Sequence, residues 1–215
     1  MSENSKTGPV YVIDDDPDVR DSLRVRLETA GYDVRLYETA SAFLKEYEPG
    51  VGCLILDLHL TDISGLELQR LLKERSETLP VIMVTAYPEL AKAVEAMKLG
   101  AFDFIEKPFA DQVLLAGIEQ ALVRSERDRE MAAMRDEAVA RLESLTARER
   151  DVLVRVFSGA SSRSIAKTLG ISQRTVEVHR ANIMRKVNVQ NLAELLQLAS
   201  RAGLHWERPL PPSRH

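Results

Sequence analysis

The chain has 215 residues, room for one large domain or two ordinary ones; 45% are hydrophobic and 29% charged, a composition that fits a globular protein. No run approaches the roughly 18 apolar residues of a transmembrane helix, and the polar start MSENSKTGP argues against a secretory signal, so a cytoplasmic protein with no membrane contact is expected. The net charge of −4 conceals a split: 22 acidic against 13 basic residues over 1–124 (−9), 6 against 4 over 125–143 (−2), and 5 against 12 over 144–215 (+7), so an acidic front precedes a basic back suited to a polyanion.

The first 124 residues alternate strand and helix signals. VYVID (10–14) is an apolar run ending in acid, after which Asp16 is a natural N-cap with Pro17 at the first helical position. Val19, Leu23, Leu27 and Ala30 then recur at helical spacing until Gly31. YDVRLYE alternates like a strand, SAFLKEYE reads as helix, and CLILD (53–57) as a buried strand; Cys53 within it is the only cysteine and reads as a small buried hydrophobe. Gly65 precedes the helix LELQRLLKER, Pro80 introduces the strand VIMVTA (81–86), and ELAKAVEAMKLG is a helix ended by Gly100. AFDFIEK (101–107) is the fifth strand and FADQVLLAGIEQAL the fifth helix.

Five such βα units predict an α/β domain, a doubly wound five-stranded parallel sheet with helices on both faces and the runs 10–13 and 53–56 in its interior. Ligands of open α/β sheets bind beyond the carboxyl ends of the strands. Asp14 and Asp15, Asp57, Thr85 and Lys107 each arrive there from their own strand. Like charges about 4 Å apart repel by on the order of 4 kcal/mol at an effective dielectric near 20, so such acids either lie in solvent at a turn or hold a cation together. Carboxylates without His or Cys ligands favour Mg²⁺. Lys107 and Thr85 can neutralise and hydrogen-bond phosphoryl oxygens, and Asp57 can be the nucleophile that forms an acyl phosphate.

Through VIDDD, LILDLHLTDISG, VTAY and FIEKPF, residues 9–124 resemble a response-regulator receiver domain, whose fold is flavodoxin-like. The resemblance implies that Asp57 accepts phosphate from a sensor histidine kinase. It also implies that Asp15, Asp57 and the backbone carbonyl of His59 bind Mg²⁺, with Asp14 acting through water. Thr85 then moves toward the phosphoryl group, Lys107 pairs with it, Phe104 is the aromatic that changes rotamer, and the Lys107–Pro108 bond is cis. Leu60 and Thr61 replace the commoner Met-Pro pair, a loss that loosens the loop without removing a charge. A rival reading is a Mg²⁺-dependent phosphatase of the haloacid-dehalogenase type with Asp14 as nucleophile and Asp16 as acid/base, although Asp18 stands where that pattern has Thr or Val. A second rival is a regulator whose receiver only dimerises.

Residues 125–143 lack Gly and Pro and should prolong the fifth helix as a helical linker, with Met131, Met134, Ala138 and Leu142 as a weak apolar stripe. From 144 to 204 the signals are those of short helices. Thr146 and Glu149 form a capping box in LTARERDVLVRVFSG, and SRSIAKTLG, RTVEVHRANIMRKV and LAELLQLASRAG follow, giving an all-α four-helix domain with a helix-turn-helix. Six bases and one acid, Glu177, lie from Arg163 to Lys186; Val176, Ile183 and Val187 should face the core.

This region resembles a LuxR/NarL-type DNA-binding domain, and RTVEVHRANIMRKV is especially similar to FixJ-type regulators. The resemblance implies that helix 173–187 enters the major groove, with Glu177, Val178 and Ala181 at base edges. Ser172, Arg174, Thr175, His179, Arg180 and Lys186 would then lie at or near phosphates. Asn188 stands where Gly is common and should be left-handed. The whole implies a phosphorylation-activated transcription regulator rather than an enzyme, one that dimerises on phosphorylation and acts on promoter DNA and RNA polymerase. The N-terminus 1–8 and the Pro-rich tail 205–215 are expected to be disordered, with packing of Trp206 open.

Overall fold

The computed structural model describes residues 8–75 and 77–204; the expectations for residues 1–7 and for 205–215, Trp206 included, lie outside the described residues. The chain divides into two units, Met1–Glu130 and Met131–His215. In the first, β1 (Val10–Ile13), β2 (Val34–Tyr37), β3 (Cys53–Asp57), β4 (Val81–Thr85) and β5 (Asp103–Glu106) alternate with helices. These are α1 (Pro17–Thr29), α2 (Ala40–Glu46), α3 (Gly65–Glu74), α4 (Leu90–Leu99) and α5 (Asp111–Glu143), the last continuing past Glu130 into the second unit.

All strand pairs are parallel and the order is β2-β1-β3-β4-β5. The interior strands β1, β3 and β4 are nearly continuous buried runs, because an interior parallel strand is covered on both faces. The edge strands β2 and β5 are only partly buried. Alternation along each strand feeds two cores. Tyr11, Ile13, Leu54, Leu56, Val81 and Met83 meet Phe43, Leu68, Leu72 and Ala96 of α2, α3 and α4. Val10, Val12, Cys53, Ile55, Ile82 and Val84 meet Leu23, Leu27, Leu114 and Ile118 of α1 and α5. The order reverses between β1 and β3, which opens a crevice at their carboxyl ends.

α5 does extend through the expected linker, but that stretch is more than a connector. Ser125 is buried and its hydroxyl accepts the Gly52 amide at 3.0 Å in the first unit. The apolar stripe divides: Met131 and Met134 are exposed, whereas Ala138 and Leu142 are buried in the second core. That core joins them to Leu153, Ile165, Val176, Ile183 and Leu198, drawn from α6 (Ala147–Phe157), α7 (Ser162–Leu169), α8 (Gln173–Lys186) and α9 (Leu192–Arg201), and to Val187, the C-cap of α8. The Thr146/Glu149 capping box forms, Gly170 ends α7 at φ 65°, and Asn188 sits at φ 53°. Among the described residues no helix is long and apolar enough to cross a membrane.

Candidate functional site

Three acids cluster at the carboxyl ends of the strands. Ligand oxygens of Asp14, Asp15 and Asp57 lie within 4.8 Å of one another. Asp14 is buried at the end of β1: its Oδ2 accepts from Lys107 Nζ at 2.6 Å and its Oδ1 from the Asp16 amide at 3.1 Å. Lys107 Nζ is 3.6 Å from Asp57 Oδ2, so one ammonium spans two carboxylates. Asp57 Oδ1 is buried and has no hydrogen-bond partner among the described residues. Burial pushes the Asp57 carboxyl above its ordinary range; Lys107 pulls it down and the Asp14 charge pushes it up again.

Three carboxylates face one ammonium in a partly buried pocket, with the Arg20 guanidinium on the Asp14 backbone carbonyl at 2.6 Å, and one acceptor oxygen stands orphaned there. That donor set fits a hard divalent cation. Such cations take oxygen ligands, carboxylates among them. The same geometry disfavours the phosphatase reading. Both oxygens of Asp14 are already hydrogen-bonded, and Asp16 caps α1 through the Asp18 amide at 2.9 Å.

Thr85 is buried at the end of β4, and its Oγ1 accepts from the Tyr87 amide at 3.2 Å, leaving its own proton to donate. Phe104 on β5 is half-buried against the core beneath α4, and the Lys107–Pro108 bond is cis. The His59 ring has Nε2 3.3 Å from Lys92 Nζ and stands in a T-shaped contact with Tyr87.

Gly65 and Asp62, both within LILDLHLTDISG, take roles that the motif alone did not assign. A Cβ on Gly65 would fall 2.4 Å from the Asp57 carbonyl oxygen, so only glycine lets α3 start this close to β3. Asp62 receives the Ala40 amide at 3.3 Å on Oδ1 and the Ser41 amide at 2.8 Å on Oδ2, both in the first turn of α2. Burial alone would raise the Asp62 carboxyl, but hydrogen bonds from Ser41, Ile63 and Ala40 hold it at about 2. The loop 58–64 that lacks proline is thus tied down, its ends closed by the Gly65 amide on the Leu58 carbonyl at 3.0 Å and its interior anchored to α2 by Asp62. A glycine at the loop's end was the one visible signal.

In the second unit α7, the turn at Gly170–Ser172 and α8 form the helix-turn-helix. Val176, Ile183 and Val187 are buried as expected. Arg174, Glu177, Val178 and Ala181 are exposed along one stripe of α8, with Thr175, His179 and Arg180 half-buried beside it. Ser172 Oγ accepts the Thr175 amide at 3.0 Å as the N-cap. Lys186, expected at or near phosphate, has its ammonium 2.7 Å from Oε2 of buried Glu149, a carboxylate that needs a partner. Burial would raise Glu149, but Lys186 and the Thr146 amide and hydroxyl outweigh it and hold the carboxyl below its ordinary range. Gln173, unremarked in the sequence, opens α8 and donates to Glu177.

Comparison with known proteins yields the same two halves. The response regulator receiver domain family matches residues 10–119, and the family of bacterial regulatory proteins, luxR family, matches residues 143–199. The chain is 43% identical over 199 residues to the transcriptional regulatory protein FixJ of Bradyrhizobium diazoefficiens, covering 92% of this chain and 97% of that protein. It is 39% identical to the transcriptional regulatory protein TdiR of Thauera aromatica, covering 97% and 96% respectively. Among solved structures, the response regulator StyR superposes with a TM-score of 0.79 at 41% identity, over 90% of this chain and 98% of that one.

Proposed function

This chain belongs to the response regulators that join a receiver domain to a LuxR-type DNA-binding domain, and from that premise we propose that it is a FixJ-like transcription regulator switched by phosphorylation of Asp57. The observation that carries the reading is the orphaned, buried Asp57 Oδ1 beside the Asp14–Lys107 pair. An unpaired carboxylate oxygen in an acidic, partly buried pocket is a nucleophile awaiting an electrophile and a counter-charge. The donor is a sensor histidine kinase. Asp57 attacks the phosphorus of its phosphohistidine, the P–N bond breaks, and the imidazole nitrogen keeps the electron pair and takes up a proton.

Asp14, Asp15, Asp57 and the His59 carbonyl are the residues that would hold Mg²⁺, which when bound neutralises phosphoryl charge. Lys107 turns from Asp14 toward a phosphoryl oxygen, and Thr85 donates its hydroxyl proton to another. Movement of Thr85 makes room for Phe104, repacking the surface of α4 and β5. A homodimer is supported by the exposed apolar residues Leu90, Val94 and Met97 at helical spacing on α4, with Tyr87 just before it. Two copies of α8 would then occupy two half-sites of promoter DNA, with RNA polymerase as the machinery regulated, in the cytoplasm.

The test is mass mapping after incubating the full chain with Mg²⁺ and acetyl phosphate. One phosphoryl adduct on Asp57, absent in Asp57→Asn, is the expected result; an adduct on Asp14 overturns it. Promoter output unchanged in Asp57→Asn would establish the receiver as a dimerisation module alone.

A further inference from the structure

Gln173 is the first residue of α8, and its Nε2 lies 3.2 Å from Oε1 of Glu177 one turn later. Both side chains are exposed on the stripe that carries Val178 and Ala181. A carboxylate only accepts, so the amide presents its NH₂ to Glu177 rather than its carbonyl. Ser172 Oγ and Thr175 Oγ1 are bonded to each other at 2.8 Å, and neither bonds Gln173 or Glu177 among the described residues. The pair therefore keeps Glu177 Oε2 and Gln173 Oε1 as acceptors.

An acid on a DNA-reading helix faces a polyanion, and it is tolerated where it meets a donor at a fixed place. Cytosine offers an amino group in the major groove without an adjacent purine N7, whereas guanine offers only acceptors and adenine sets N7 beside its amino group. A free glutamate would also lose rotamer entropy on docking, and a tether lowers that cost in advance.

Resting on the reading that α8 enters the major groove, we propose that Gln173 is a positioning residue for sequence readout, holding Glu177 over the amino group of a cytosine. Val178, 52% exposed and next along the stripe, meets the methyl of an adjacent thymine. Gln173 acts through Glu177 and does not read a base of its own.

The test uses the full chain with a phosphoryl donor, selected against randomised duplexes, with relative affinities then measured for all four base pairs at each position. Glu177→Ala should erase a cytosine preference of roughly 5- to 100-fold at one base pair. Gln173→Ala should weaken that preference several-fold at the same base pair, the double variant should be no worse than Glu177→Ala, and the salt dependence should stay unchanged in all three. Gln173→Glu puts an acid in the first turn, where the helix dipole favours it, so the fold is kept; repulsion from Glu177 should reproduce the loss. An unaltered preference in Gln173→Ala, or a shift at a different base pair from that of Glu177→Ala, overturns the positioning role while leaving DNA recognition in place. A wild-type chain that selects no sequence overturns both.

Discussion

Lys107 Nζ lies 2.6 Å from Asp14 Oδ2 and a full ångström farther from Asp57, so the lysine is held by the carboxylate that is not the proposed phosphoacceptor. Asp14 is 1% exposed, and a carboxylate that deep is stable as an anion only with a partner. Lys107→Ala should therefore destabilise the metal-free receiver, by about 3 kcal/mol, through the charge it strands. Urea unfolding of the full chain followed by circular dichroism measures this. Added Mg²⁺ should recover part of the loss, because a cation supplies the missing positive charge; no recovery would mean that the acids do not share an ion.

Asp57 should behave in the opposite sense. Its folded pKa is raised by burial, so its contribution to stability is fully present below the ordinary carboxylate range and is lost as pH rises through the raised value. Asp57→Asn removes that loss. Without metal, the variant should melt above wild type near pH 7, and the gap should close toward about pH 4. Mg²⁺ should raise the wild-type melting temperature and leave the variant's nearly unchanged. Thermal melts across pH, with and without the cation, read both effects.

Gly65→Ala tests the seam between β3 and α3. A methyl 2.4 Å from the Asp57 carbonyl oxygen forces α3 or the loop to shift, at a cost of about 1–3 kcal/mol. Because the displaced carbonyl belongs to Asp57 itself, phosphoryl incorporation from acetyl phosphate should fall more than stability does. Equal incorporation at a temperature well below melting would separate the glycine from the site.

Asp62→Ala strips the acceptor from the Ala40 and Ser41 amides in the first turn of α2, while Thr39 stays as its N-cap. Asp62 is solvent-exposed, so the effect is modest, about 1 kcal/mol at neutral pH. Its folded pKa is depressed, so the stabilisation is present above the ordinary carboxylate value and is lost as pH falls toward about 2. Wild type and variant should converge over that acid window in urea titrations of the receiver transition.

The pocket was legible because interior parallel strands leave unbroken apolar runs that stop where the side chains turn functional: VYVI before Asp14, CLIL before Asp57, VIMV before Thr85. Helix ends were legible for a similar reason, since caps such as Asp16, Thr146 and Gly170 act on their own turns. What escaped depends on packing between distant segments. Asp62 reaches amides 21 and 22 residues back, and Lys186 reaches a glutamate 37 residues away; local pattern carries no record of either. The charged block RSERDRE likewise hid the contact of its own Ser125 with Gly52, whereas Ala138 and Leu142 of the apolar stripe do enter the second core.

Lys186 and Arg174 separate structure from DNA contact within one helix. Lys186 is 2.7 Å from Glu149, which is 4% exposed and also caps α6 through the Thr146 amide at 2.8 Å. Removing the lysine leaves that buried acid with the cap alone, so Lys186→Gln should lower the stability of the DNA-binding domain by about 1–3 kcal/mol. Arg174 is exposed at the start of α8 and is free of any ion pair among the described residues. Arg174→Ala should leave stability unchanged, weaken all duplexes about equally, and reduce the salt slope of binding by about one. If Lys186→Gln, assayed below its melting temperature, gives the same drop in slope, its ammonium exchanges Glu149 for a phosphate on binding and α8 is held less tightly in the complex than in the free chain.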